Sequence, residues 1–399
     1  MLSERMWWRV NSHKVPNYYV LFVLGMLLLG FSSSPGDGVV ISYAAPFLLL
    51  SCFLFVPVFL NNLSAMDFRF FLWPILFVVV MFLTSFIAAA PMASLSRAIT
   101  NLLGFFIFLC LIAATMRRRV SVEWTARTLF LSGVVLAGYF ILNLMYKSYL
   151  HGFQVVILER YVGGAMSLPW GASNTIAQVL LLSVASFLAV KNQTKWDICY
   201  LAIIALAIIL TFSRSVIILL VCMIYIIIGF RYFSRLVVVG ALMLCGYLYF
   251  FNGESKGYET FLSTRLSLAN MQTGNGRVET ALEKINYFMS HPFEPIGYYS
   301  SIYDFKLSAH NYWITTLVEQ SLIGVLISLV FFSLIGKMAL RASPKIFQGF
   351  LIVMMGLMVE DPNFVQPYII AFWIYFAVIV LRGLESTESK ISYDPHQHK

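Results

Sequence analysis

The stretch ICYLAIIALAIILTFSRSVIILLVCMIYIIIGF, residues 198–230, decides the fold class, because it is apolar throughout except for a short polar junction around Arg214. A helix of about 17–25 apolar residues is long enough to cross the hydrocarbon core of a bilayer. The stretch therefore predicts two membrane-spanning helices joined near Arg214. An arginine at the centre of a membrane helix costs at least ~2.5–3.5 kcal/mol, so this residue needs either a place at the membrane boundary or a function.

The composition of the whole chain indicates the same fold class. Its 399 residues are 60% hydrophobic and 11% charged, whereas soluble domains have about 25% charged residues. We therefore predict an all-α integral membrane protein whose residues 1–399 form a single polytopic domain. No cleavable signal peptide is visible at the N-terminus. The five cysteines are scattered through apolar segments, so no disulfide or metal site is expected.

The apolar segments predict about twelve transmembrane helices. Lys and Arg concentrate in alternate connections, and 18 of the 27 basic residues fall on the side that also holds both termini. Because basic residues are enriched in cytoplasmic loops, this bias predicts cytoplasmic termini, and it explains the net charge of +9 without a nucleic-acid partner. The spans are predicted at about 18–31, 39–60, 69–90, 98–116, 127–146, 174–190, 196–212, 214–230, 234–251, 312–336, 345–359 and 364–382.

The same topology predicts two sizeable loops on the outer side of the membrane. The smaller loop is 147–173, between spans 5 and 6, and the main loop is 252–311, between spans 9 and 10. Residues 383–399 form a polar tail on the cytoplasmic side. The other outer connections are short turns, so we expect function on this face to reside in the two loops and at the adjoining helix ends.

Four of the arginines that face the outer side, against the general charge bias, are candidate ligands. They are Arg160 in the first loop, Arg265 and Arg277 in the main loop, and Arg214 at the span junction. A planar, always-charged guanidinium suits a diphosphate or another anionic headgroup. Taken alone, Arg214 is equally well explained as an arginine that snorkels to the interface. Its neighbours Ser213 and Ser215 either donate hydrogen bonds to the same anion or satisfy local backbone groups.

The sequence SAHNYWITTLVEQSLIG, residues 308–324, contains a His–Asn pair where the main loop re-enters the membrane. Neutral imidazole can take a proton from a hydroxyl group near pH 7. His310 is therefore a candidate general base, and Asn311 is a candidate supporting or acceptor-binding residue. The alternative is that His310 is an ordinary hydrogen-bonded interface residue. His291, which precedes a proline, and His151 fit turns better than chemistry.

Several common catalytic motifs are missing from the sequence. There is no Gly-rich nucleotide loop of the Walker type, no HEXXH, no G-x-S-x-G and no paired DxD in the outer loops. A reaction on this face would therefore use no metal and no cofactor, and arginines would stabilise an anionic leaving group. Aromatic residues are dense around the main loop. They form an interfacial belt, a surface for stacking on sugar rings, or both.

Three short motifs, taken in order, resemble the superfamily of O-antigen ligases and Wzy O-antigen polymerases, which are GT-C-like bacterial integral-membrane glycosyltransferases. The motifs are TFSRS at the span junction, STRLS…GNGRVETALEKINYFMSHPFEPIG in the main loop, and SAHNYW…LIG after it. Ten residues separate Arg160 from Gly171, and ten separate Arg265 from Gly276, which is similar to the R-x10-G arrangement of the polymerases. One position departs from the ligase pattern, since Ser321 stands where that pattern has glycine.

This resemblance implies a function at the periplasmic face of the bacterial inner membrane. A glycan would be transferred from undecaprenyl diphosphate to an acceptor sugar hydroxyl. The residue roles implied are the donor diphosphate for Arg160, Arg214, Arg265 and Arg277; catalysis for His310 and Arg214; and support or acceptor binding for Asn311, Ser213 and Ser215.

The resemblance leaves the acceptor open. A ligase would use lipid A–core, and a Wzy-type polymerase of O-antigen or exopolysaccharide would use a second lipid-linked glycan. Twelve spans and one dominant outer loop favour lipopolysaccharide O-antigen ligase. A non-enzymatic lipid or glycan transporter is the third reading. It would require charges along an intramembrane path, and the predicted span interiors have almost none.

Overall fold

The fold is a bundle of helices with one small β-hairpin. The computed structural model describes residues 16–36, 39–61, 68–116, 120–152, 167–235, 237, 277–305, 311–358 and 366–391. Within these ranges the elements are α1 Asn17–Leu27, β1 Ser32–Gly36, β2 Val39–Ser42, α2 Ala45–Leu60, α3 Phe68–Thr84, α4 Pro91–Met116, α5 Val122–His151, α6 Ser173–Phe187, α7 Lys195–Leu210, α8 Arg214–Ile228, α9 Arg277–Ser290, α10 Ser301–Asp304, α11 Tyr312–Glu319, α12 Ser321–Ala342, α13 Pro344–Gly356 and α14 Gln366–Ile391.

The predicted helical membrane character is found in the structure. Helices α4, α5 and α12 and the part of α14 up to Thr387 are long and apolar enough to cross a membrane. Shorter apolar helices, among them α1, α2, α6, α8 and α13, pack around them. Eleven of the predicted spans contain a described helix, and most of span 234–251 lies outside the described residues. Twelve complete membrane crossings remain a prediction.

Helix α14 forms the centre of the bundle. In its most apolar window 94% of the residues are buried, and it packs against α4, α5, α6 and α12. Gly104 allows α4 to approach closely, since a β-carbon there would lie 2.4 Å from Trp373 Cδ1. The Trp373 indole N–H donates to Asn101 Oδ1 over 3.2 Å, which satisfies two polar groups inside the core.

The ends of several predicted spans differ from the observed helices. Helix α4 starts at Pro91 rather than at 98, α5 continues to His151 inside the predicted loop 147–173, and α14 continues to Ile391 inside the predicted tail 383–399. A hydropathy pattern detects the apolar part of a helix and not the polar turns that extend it. The predicted turn between the first two spans and the start of span 39–60 instead form the antiparallel β1–β2 hairpin.

The predicted span 312–336 is divided into two helices. Helix α11 ends at Glu319, and α12 begins at Ser321, whose φ is +60°. A left-handed residue cannot continue a right-handed helix, so the chain changes direction here. The polar residues Glu319, Gln320 and Ser321 stand at this point, but they are too few to divide the predicted apolar span.

One end of the bundle carries a cluster of charged residues, here called the ionic end: Glu123, Arg127, Lys191, Asp197, Arg382 and Glu385. Arg382 is 4% exposed and its guanidinium lies 2.5 Å from Glu123 and 2.7 Å from Glu385. Arg127 contacts Glu123 and Asp197, both at 3.3 Å. Arg127, Lys191 and Arg382 come from three connections that the charge bias assigns to one side of the membrane. In the structure these three residues lie together at one end of the bundle.

Candidate functional site

The opposite end of the bundle, here called the Arg214 end, carries the candidate residues Ser213, Arg214, Ser215 and Asn311. It contains the start of α8, the start of α11, the turn between α3 and α4, and the segment 296–301. The α3–α4 turn and the segment 296–301 are joined by backbone hydrogen bonding, since Tyr298 N–H donates to Thr84 O over 3.2 Å. These pieces come from distant parts of the sequence, and only folding brings them to one end.

Arg214 is the first residue of α8 and its side chain is exposed. The turn before it is tight, because Phe212 has a φ of +52° and the Ser213 N–H donates to Thr211 Oγ1 over 3.3 Å. Ser213 is buried and makes no side-chain capping bond to α8, while Ser215 is half-buried. The first turn of a helix has unsatisfied backbone N–H groups and a partial positive charge. Arg214 adds a full charge at the same point.

Asn311 caps the N-terminus of α11. Its Oδ1 accepts hydrogen bonds from the backbone N–H groups of Trp313 at 3.0 Å and Ile314 at 3.2 Å. This structural role accounts for the asparagine, and a supporting role toward an acceptor is untested. His310 immediately precedes the cap but lies outside the described residues.

The starts of α8 and α11 lie at the same level of the bundle. Helix α13 contacts both of them. A β-carbon at Gly349 would lie 3.7 Å from Met223 Sδ of α8, and at the end of α13 the Leu357 carbonyl accepts from Tyr312 N–H over 2.8 Å. Arg214 lies nine residues from Met223 along α8, and Leu357 lies eight residues from Gly349 along α13. At the helical rise, both distances are about 12–14 Å. Arg214 and Tyr312 are therefore level with each other.

The other predicted diphosphate ligands cannot be compared in the same way. Arg160 and Arg265 lie outside the described residues, and Arg277 is described only as the first residue of α9, without its side chain. Of the two glycines in the R-x10-G pattern, one is described and the other is not. Gly171 forms an isolated β-bridge with Leu168, while Gly276 lies outside the described residues.

Arg97 is an additional cation at the Arg214 end that sequence reasoning did not single out. It lies on α4, is partly buried, and its Cζ is 5.3 Å from the centre of the Tyr299 ring. Tyr299 has a φ of +60°, so the backbone itself turns this ring toward α4. The only signal in the sequence was the position of Arg97 next to an outer turn.

The segment 296–301 is held firmly against α4. Ser94 Oγ donates to the Tyr298 carbonyl over 2.6 Å, and Asn101 Nδ2 donates to Tyr298 Oη over 2.9 Å. Gly297, with a φ of +101°, lies so close to the α3–α4 turn that a β-carbon would be 2.5 Å from Ala88 Cα. Only glycine fits this position.

Glu319, at the end of α11, is the second residue that sequence reasoning missed. It is 2% exposed, and its carboxylate accepts from the N–H groups of Tyr299 at 2.8 Å and Ser301 at 3.1 Å. These hydrogen bonds join the end of α11 to the segment 296–301. An acid in the run TTLVEQSLIG was the available signal.

An open hollow lies beside this segment. Its volume is about 510 Å³, and it is lined by Ile87, Ala89, Tyr287, Ile296, Asp304 and Phe305. The rings of Tyr287 and Phe305 meet edge to face with centres 5.8 Å apart, and the buried Lys284 Nζ lies 5.5 Å from the Phe305 ring centre. Two aromatic rings and an exposed carboxylate are suited to holding a hydroxyl-rich ring.

His291 has a structural role in a turn, as predicted from its place before a proline. Its ring stacks on Tyr287 with centres 4.9 Å apart, and it follows the last residue of α9. Among the residues that the structure describes, no group of three or more His, Cys, Asp or Glu side chains could hold a metal ion. No protein-family model matches the chain, and no curated protein matches it.

Proposed function

We propose that this protein is a membrane glycosyltransferase that moves a glycan from undecaprenyl diphosphate to an acceptor sugar hydroxyl. The observation that carries the proposal is the exposed Arg214 in the first turn of α8, level with the α11 start that follows His310 and Asn311. A cationic helix start level with the start of α11 suits a reaction on a lipid-linked substrate.

The chemistry of the leaving group explains why Arg214 stands at a helix end. A diphosphate carried on a polyprenyl chain lies at headgroup depth, so a side chain that meets it must come from the membrane boundary. Negative charge grows on the departing diphosphate as the glycosidic bond breaks. Arg214 and the N–H groups of the first turn of α8 then stabilise the transition state more than the ground state. Arg160, Arg265 and Arg277 complete the proposed donor site.

The acceptor side of the reaction is assigned to His310 and to the aromatic hollow. His310 takes the proton of the acceptor hydroxyl as the new bond forms, a contribution of about 10²–10⁴-fold in rate. The hollow between Tyr287, Asp304 and Phe305 offers aromatic surface and a hydrogen-bond acceptor for a sugar ring. The acceptor is lipid A–core if the protein is a ligase, which we favour, or a second lipid-linked glycan if it is a polymerase.

The backbone at Ser321 supports the resemblance on which the substrate assignment rests. The ligase pattern has glycine at this position, and Ser321 has a φ of +60°, in the left-handed region that glycine occupies without strain. The conformation expected of a glycine is therefore present although the residue is serine. The proposal includes an inner-membrane location, twelve spans and cytoplasmic termini.

Substitution of Arg214 tests the proposal. We expect Arg214→Ala to lose most glycan transfer, since a missing transition-state charge typically costs ~10²–10³-fold in turnover, and Arg214→Lys to restore only part, because lysine lacks the planar fork. Purified variants would be assayed with lipid-linked donor and saturating acceptor. Arg231→Ala, which removes an exposed arginine just after α8, is the matched control and should retain activity.

The outcomes separate the alternatives. Near-normal turnover of Arg214→Ala would show that this arginine only snorkels. Transfer to lipid A–core identifies a ligase, and elongation of a second lipid-linked glycan identifies a polymerase. If the wild-type protein transfers to neither acceptor but moves lipid-linked glycan across vesicles, the transporter reading replaces ours.

A further inference from the structure

Arg97 lies on the side of α4 that faces the bundle. At the helical turn of about 100° per residue, Arg97 is about 60° from Ser94 and about 40° from Asn101. Ser94 and Asn101 are buried, and both donate hydrogen bonds to Tyr298. The exposed apolar residues Met92 and Ile99 lie about 140° and 160° away, on the outer side of the helix. Arg97 therefore does not belong to the outer, exposed side of the helix, where a snorkelling arginine would stand.

The charge of Arg97 has an aromatic partner but no acidic one. Its Cζ lies 5.3 Å from the centre of the Tyr299 ring, which attracts the charge but accepts no ordinary hydrogen bond. Among the residues that the structure describes, no carboxylate forms an ion pair with Arg97, and no acceptor takes a hydrogen bond from its guanidinium. A partly buried charge is costly unless it is paired and hydrogen-bonded. The five guanidinium N–H donors therefore suit an anion from outside the described chain.

Arg97 also stands at the membrane boundary of α4. Residues 98–116, which follow it, contain no charged side chain, and α4 is long and apolar enough to cross a membrane. The 26 residues of α4 span about 39 Å, whereas the hydrocarbon core is about 30 Å thick. Side chains on a helix tilt toward its N-terminus, so the guanidinium is directed to the level of the lipid headgroups. The anions concentrated at this level are lipid phosphates.

This position is separate from the proposed donor site at Arg214. Helix α4 packs on α2, α3 and α14, whereas α8 packs on α6, α7 and α13. In the described part of the chain, these two sets of packing partners have no helix in common. At least two helices therefore stand between α4 and α8, and one phosphate group is too small to contact both arginines.

We propose that Arg97, backed by the Tyr299 ring, binds the phosphate group of a membrane lipid. A planar guanidinium binds phosphate through two parallel N–H···O hydrogen bonds. A phospholipid headgroup and a polyprenyl phosphate offer the same group. The proposal rests on the membrane placement given above and not on glycosyl transfer. If the protein does transfer glycans, Arg97 supplies a second phosphate site, as expected when donor and acceptor are both carried on lipids.

Native mass spectrometry of the purified full-length protein tests the proposal. Delipidated wild type, Arg97→Gln and Arg97→Lys would be titrated with undecaprenyl phosphate, with phosphatidylglycerol, and with undecaprenol, which lacks the phosphate. We expect Arg97→Gln to bind phosphate lipid about tenfold more weakly at one site, because charge-assisted hydrogen bonds are lost, and Arg97→Lys to lose less. Binding of undecaprenol should not change. Arg231→Gln, which removes an exposed arginine just after α8, is the matched control and should bind all three lipids as wild type does.

The set of lipids affected identifies the source of the phosphate. A loss confined to undecaprenyl phosphate assigns a lipid-linked substrate, and a loss that extends to phosphatidylglycerol assigns a phospholipid headgroup; both results support the proposal. Unchanged affinity of Arg97→Gln for both phosphate lipids overturns it. An equal loss for undecaprenol also overturns it, because Arg97 would then act on the fold and not on phosphate.

Two further measurements keep the result unambiguous. Arg97 has no described ion pair to lose, so Arg97→Gln should keep the thermal midpoint of the wild-type protein. If this variant does not fold, Arg97→Lys decides the matter, since wild-type affinity for both phosphate lipids would overturn the proposal. Arg214→Ala should retain the binding that depends on Arg97. That binding would support the proposal even if Arg214 proved to have no part in holding the donor.

Discussion

Ser321 has a left-handed backbone conformation that an L side chain adopts at a cost of about 1–2 kcal/mol. Glycine adopts it without that cost. We therefore expect Ser321→Gly to be more stable than Ser321→Ala by about 1 kcal/mol in the free energy of unfolding. Both substitutions remove the hydroxyl group, so their difference isolates the effect of the β-carbon. Chemical unfolding in detergent, followed by circular dichroism, gives the two values.

An alanine variant as stable as the glycine variant would show that Ser321 is not strained. It would also remove the structural support that this position gives to the family resemblance. A second residue-scale signal, Arg214, is independent of this result, because its exposure and its place at the start of α8 do not depend on the α11–α12 break.

At the scale of elements, Glu319 joins α11 to the segment 296–301 through two backbone hydrogen bonds. Ser301 is buried, so its N–H group would lose its partner without access to water if the carboxylate were removed. An unsatisfied buried donor costs about 1–3 kcal/mol. We therefore expect Glu319→Ala to lower the thermal midpoint in detergent by several degrees, and Glu319→Gln, which keeps an acceptor oxygen, to lower it less.

The control for Glu319 is Glu283→Ala, which removes an exposed carboxylate from the neighbouring helix α9. This variant should keep the thermal midpoint of the wild-type protein. If Glu319→Ala has the same midpoint as wild type, the attachment of the segment 296–301 does not depend on Glu319.

At the scale of the whole molecule, the ionic end links α5, α7, α14 and the turn between α6 and α7. Arg382 is its most buried cation and also donates to the Ala189 carbonyl. Removing one partner of a buried ion pair leaves uncompensated charge and costs about 3–5 kcal/mol. We therefore expect Arg382→Met to lower the free energy of unfolding by about this amount, measured by denaturant titration in detergent.

Lys191→Met provides the matched control within the same cluster. The Lys191–Glu385 pair is 65% and 42% exposed, and exposed pairs contribute at most about 1 kcal/mol. Equal effects of the two substitutions would mean that the ionic end does not hold the helices together. In that case the buried network would have a role other than stability.

The sequence alone predicts the membrane class and the order of the helices. It also predicts the grouping of Arg127, Lys191 and Arg382 at one end. Hydropathy and charge bias are local properties of the sequence that determine how a chain inserts into a bilayer. The sequence also predicts that Arg214 stands at a helix start, because a polar junction interrupts the apolar run there. The helix ends were less predictable, since capping and polar extension depend on a few residues.

Only the tertiary structure decided which distant residues meet at the Arg214 end. Arg97 lies over the Tyr299 ring, and Gly297 contacts the α3–α4 turn, because the chain returns to α4 after some 200 residues. No local pattern encodes a contact of that sequence separation. The exposure of Val278, Leu282 and Met289 on α9 was equally hidden, because whether an apolar side chain is buried depends on what the fold packs against it.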